Sequence, residues 1–128
     1  MEKLCYIFEI GGKILTKTLY LKRLLDWGHT VEFEVSETDL PYKVKMKSGP
    51  STVRGQGKDF WQALTDFLTN ATFSVPSLRP EEKLGPLANM VIPGAKVELA
   101  KENSSLSVKV NGKPTTDPLA KALITALA

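Results

Sequence analysis

Tyr42-Lys43-Val44-Lys45-Met46-Lys47 alternates an apolar and a cationic side chain through three full periods. A period of two is the signature of a β-strand with one face in a core and one in water. Eleven residues upstream, Val31-Glu32-Phe33-Glu34-Val35 repeats the pattern with carboxylates in place of ammonium groups. The two stretches read as antiparallel strands joined by the turn-forming Glu37-Thr38-Asp39-Leu40-Pro41.

Downstream, Ser48-Gly49-Pro50-Ser51 ends the lysine strand, and Thr52 to Arg54 is long enough for a short third one. Gly55-Gln56-Gly57 then leads to a helix over 58–70. Phe60, Leu64, Phe67, Leu68 and Ala71 recur there at helical spacing, and Lys58, Gln62, Thr65, Asp66 and Thr69 take the other side.

Working outward, the N-terminal part has the same order. Leu4, Tyr6, Phe8 and Ile10 alternate, Gly11-Gly12 supplies a tight turn, and 13–17 returns as a second strand. A helix follows over 19–27, with Tyr20, Leu21, Leu24, Leu25 and Trp27 on one arc and Gly28 at its end. A longer second strand reaching Tyr20, with a shorter helix, satisfies the same residues.

Residues 72–94 carry Pro76, Pro80, Pro86 and Pro93 and read as a connector. Within it, a short helix is expected to start at Pro80 and stop at Gly85-Pro86. Strands are expected over 96–100 and 106–110, with turns at Glu102-Asn103-Ser104 and Asn111-Gly112. Asp117-Pro118 has the residue types of an N-cap and a first helical position, so a final helix runs on from there. The expectation is an α+β fold: an antiparallel sheet built from three ββα-like units, with helices packed mainly on one face. The 34 residues after the connector are too few to fold well alone, so 1–128 is taken as a single domain.

The chain has 128 residues, 42% hydrophobic and 24% charged, ordinary values for one globular domain. One cysteine, Cys5, excludes an intrachain disulfide and a cysteine-based zinc site within one chain. Met1-Glu2-Lys3-Leu4 has neither the basic segment nor the apolar run of a signal peptide. No stretch is apolar enough to span a bilayer. A cytoplasmic protein with no membrane partner is expected.

The net charge is +3, spread along the chain except in one place. From Pro41 to Phe60 there are five cations and one carboxylate, Asp59. Lys43, Lys45 and Lys47 point the same way at intervals of about 6–7 Å. With Arg54, Gly57, Lys58 and Trp61 they form a candidate phosphate or nucleic-acid site, since each neutralised phosphate releases a counterion. The same array is an ordinary solvated strand face if Glu32 and Glu34 pair with it. Gly55-Gln56-Gly57-Lys58 before a helix could offer backbone N–H groups to an anion, although it is neither a Walker loop nor a dinucleotide fingerprint. Trp61 is either a stacking surface or a core-edge residue.

From residue 19 onward, helix, strand, strand, short strand, helix resembles double-stranded RNA-binding domains, as does Thr52-Val53-Arg54-Gly55-Gln56-Gly57 before the last helix. The resemblance covers roughly 50 residues and implies a phosphate-gripping helix start. Where that family places lysines, this chain has Asp59, Phe60, Trp61 and Gln62. That departure argues against the same RNA contact.

The final helix is apolar nearly all round, with only Lys121 and Thr125 as a polar strip. Leu119, Leu123, Ile124 and Leu127 are therefore candidates for a subunit or partner interface, unless the sheet and connector enclose the helix. His29 and Cys5 have no partners at a diagnostic spacing, and no carboxylate pair stands out. No cofactor is implied. The first expectation is a non-catalytic interaction or regulatory protein, as a homo-oligomer or bound to another protein. The second is a nucleic-acid or nucleotide-phosphate binder, and the third a small enzyme without a recognisable motif.

Overall fold

A computed structural model describes residues 16–73, 78–103, 105–115 and 117–127. The strand expected over 4–10, the Gly11-Gly12 turn, residues 13–15 and Cys5 lie outside them.

The chain runs α1 (Lys17–Asp26), β1 (Val31–Val35), β2 (Tyr42–Ser48), β3 (Ser51–Gly57) and α2 (Phe60–Thr72). A 3-10 turn (Glu82–Leu84) leads into α3 (Gly85–Met90), followed by β4 (Val97–Glu102), β5 (Ser105–Val110), β6 (Lys113–Pro114) and α4 (Pro118–Leu127). The six strands form one antiparallel sheet in the order β3-β2-β1-β4-β5-β6. The α+β architecture read from the sequence is present.

Residues 17–72 and 85–127 share one element order: helix, three strands, helix. The two three-stranded meanders join where β1 pairs with β4, at Val31 with Leu99, Glu32 with Glu98 and Phe33 with Val97. That register is symmetric about Glu32 and Glu98. Both described halves thus have the order α-β-β-β-α: the third strand of the first half was expected at Thr52 to Arg54, and β6 of the second was not. The strand-pair order expected before residue 16 falls outside the described residues.

Period-two alternation sends Val31, Phe33, Val44, Met46, Val97, Leu99, Leu106 and Val108 to one face. There they meet Leu21, Leu24, Leu25, Leu64, Phe67, Leu68, Leu87 and Leu123 from the four helices. The opposite face carries Glu32, Glu34, Lys43, Lys45, Lys47, Arg54, Glu98 and Lys109 and has no helix on it.

Three local readings need correction. Lys17 is helical, not part of a returning strand. The Thr16 hydroxyl accepts from Leu19 N–H as N-cap, and the Glu81 carboxylate accepts from the N–H groups of Lys17 at 2.6 Å and Thr18 at 2.9 Å. A carboxylate there satisfies donors left open by the first turn and suits the helix dipole. Pro86 does not end a helix. It stands at the start of α3, where the missing N–H costs nothing. Gly55-Gln56-Gly57 is not a loop, because β3 runs through it.

The reason for the last is steric. Gly55 and Gly57 are buried beneath α2, and a Cβ on Gly55 would stand 2.5 Å or less from Phe67 atoms. Two missing side chains let helix backbone lie directly on strand backbone. The Asn111-Gly112 turn behaves as read: the two residues take positive φ, 53° and 82°, between paired Val110 and Lys113.

Candidate nucleic-acid interface

The register places the cations. Lys45 faces Glu32 on one side and Arg54 on the other, Lys43 faces Glu34 and Gln56, and Lys47 faces Thr52. Strands β2 and β3 contain four cations and no carboxylate. Lys43 donates to Gln56 Oε1 at 2.9 Å. Lys45 approaches Glu32 Oε1 only to 3.7 Å, while Lys96 reaches the same oxygen at 3.1 Å. That contact raises the Lys96 pKa, first by hydrogen bonding to Glu32 and then by its charge. Glu32 is thus shared, and its stronger partner comes from outside the row. Among the described residues the side chains of Lys47, Arg54 and Lys58 have no hydrogen-bond or ion-pair partner.

Like charges directly opposite in a sheet destabilise it. Lys45 opposite Arg54 is such a pair, with Arg54 exposed at the sheet edge. A groove of about 640 Å³ lies beside them, lined by Lys43, Lys45, Arg54, Gln56, Asp66 and Asn70 among others. Asp66 and Asn70 come from α2 and hold the outer edge of β3. The Asp66 carboxylate accepts from Gln56 N–H at 3.0 Å, and the Asn70 amide donates to the Arg54 carbonyl at 2.7 Å. Sequence reading placed Asp66 on the solvent side of its helix and missed this edge-covering role, because a strand's open backbone groups are not visible in its residue types.

The rest of the sequence-derived site divides. Lys58 is exposed but lies at the other end of the row from Lys47, next to Asp59. Gly57 is buried and serves packing. The anion loop does not form: Gln56 N–H is taken by Asp66, Lys58 N–H donates to Gln62, and Asp59 caps α2 by accepting from Gln62 N–H at 2.9 Å. A carboxylate occupies the place an anion would need. Trp61 is half-buried, its ring edge-on to Phe60 with centroids 4.8 Å apart, a core-edge packing.

On α4, Leu123 and Leu127 are 0% exposed, enclosed by their own chain, where the helix packs on α1, α3, β5 and the 3-10 turn. They are not surface residues. Leu119 is half-buried, and Ile124, at 37%, is the one large apolar side chain of the four left open.

Helical spacing places Trp27 on the buried arc of α1. It stands instead at the helix C-cap and is 50% exposed. Helical periodicity does not hold past the last turn, so its wheel position was misleading. Among the described residues no group of three His, Cys, Asp or Glu side chains could hold a metal ion, and no helix is long and apolar enough to cross a membrane.

Compared with protein-family models, curated proteins and solved structures, the chain matches none.

Proposed function

We propose that this chain is a binding module for a nucleic-acid backbone, which lies on the helix-free face of the sheet along β2 and β3. The observation that carries the reading is Lys45 opposite Arg54 on strands without a carboxylate. An arrangement that costs stability is understandable where an anionic ligand relieves it. Lys47 and Arg54, without partners among the described residues, are the cations whose counterions a phosphate would displace. The symmetry of the fold sharpens the contrast. In the other half, the strand equivalent to β2 is β5, Ser105-Leu106-Ser107-Val108-Lys109-Val110, with one cation. The β2–β3 wing thus carries four cations and the β5–β6 wing two.

The test is fluorescence anisotropy with a labelled oligonucleotide at low salt. The combined Lys43→Glu, Lys45→Glu and Lys47→Glu variant is expected to lose binding. A charge-matched control, Lys109→Glu, Lys113→Glu and Lys121→Glu, is expected to keep most of it. Equal loss in both would reduce the effect to net charge. No binding by the unaltered protein would refute the reading.

A further inference from the structure

We propose that the strand bound is unpaired, and that Trp27 stacks on one of its bases at the Lys47 end of the row. The inference rests on the function proposed above and adds the kind of nucleic acid and a residue that reads it. Trp27 is half-exposed and directly precedes Gly28, which shares a pocket lining with Lys45 and Lys47. Three residues separate it from Val31, which pairs with Met46, so the chain brings Trp27 toward the end of the sheet that carries Lys47. In that connection, Gly28 and Thr30 line a 220 Å³ pocket together with Glu32, Lys45 and Lys47.

The chemistry distinguishes the ligand. Lys43, Lys45 and Lys47 are about 6–7 Å apart along a straight strand, a spacing that suits successive phosphates of an extended chain. A duplex keeps its base faces stacked inside, whereas an unpaired base offers one to an indole. Glu32 and Glu34 border the row on the β1 side, which favours a ligand lying along β2 over one crossing the sheet.

The probe is oligothymidylate, with intrinsic fluorescence and anisotropy read together. The chain has two tryptophans, so each can be removed in turn. Oligothymidylate is expected to quench the unaltered protein and Trp61→Phe but not Trp27→Ala. Trp27→Ala should bind it about 5- to 100-fold more weakly, as loss of one stacked base implies. Thermal melting of Trp27→Ala should stay close to that of the unaltered protein, which separates lost stacking from lost fold. If a duplex binds as tightly as oligothymidylate and Trp27→Ala changes neither, the inference fails while the lysine face stands. If neither nucleic acid binds, both fail together.

Discussion

A Cβ built on Gly55 would stand 2.2 Å from the backbone nitrogen of Phe67. That distance fixes how closely α2 lies on β3, and so where Asp66 and Asn70 meet the edge of the sheet beside Arg54. Gly55→Ala has no cheap relief, because the neighbour is helix backbone. It is expected to cost about 3 kcal/mol or more, the upper range for overpacking. Gly85 is the control, with nothing within 4 Å and a helical φ of −53°. Gly85→Ala should stabilise by about 0.5–1 kcal/mol. Denaturant unfolding of the two variants checks both signs.

Lys17 and Glu81 give a second expectation. Lys17 is 1% exposed, its ammonium donates to the Arg79 carbonyl at 2.6 Å, and Glu81 Oε2 lies 3.7 Å away. Burial lowers the Lys17 pKa, with Glu81 opposing through its charge and hydrogen bonding. Glu81→Ala would leave that ammonium buried without its carboxylate and open the α1 N-terminus. A loss of about 3–5 kcal/mol is expected at neutral pH. The sign with pH follows from linkage. A lysine whose folded pKa lies below its unfolded value binds more protons when unfolded, so its contribution makes stability rise with pH through that window. Without Glu81 the folded pKa falls further, so Glu81→Ala should recover part of its loss toward alkaline pH. Melting against pH would show the recovery, and a deficit constant with pH would contradict it.

The final helix supplies a third. Leu123→Ala empties a fully enclosed position and should cost about 2–5 kcal/mol. Ile124→Ala, on the open side, should cost about 0.5 kcal/mol or less if the chain acts alone. Should Ile124→Ala instead dissociate an oligomer in light scattering, the interface read from the sequence would be restored at that one residue.

Much of this was legible in the residues. Alternation in 31–35 and 42–47 placed both strands and their faces, and the stripe from Phe60 to Ala71 placed α2. The errors share a cause, which is that the deciding contact was distant in sequence. Thr16, Lys17 and Thr18 resemble strand residues until Glu81, 64 residues from Lys17, caps them as a helix. Gly55 and Gly57 resemble a hinge until α2 needs the space. Leu123 and Leu127 resembled a sticky surface because periodicity does not reveal how many sides of a helix the fold will cover. The cationic row was visible. That Lys96 engages Glu32 more closely than Lys45 does was not, since it depends on β4 lying beside β1.

On the proposed reading, the β2–β3 face exchanges counterions for phosphates. The most direct measurement of that exchange is the slope of log affinity against log salt for oligothymidylate. About three to four phosphate contacts imply a slope of about −2 to −3 on a single strand, and Arg54→Ala should make it shallower by about 0.7. A slope near zero, or one that Arg54→Ala and Lys47→Ala leave unaltered, would contradict it.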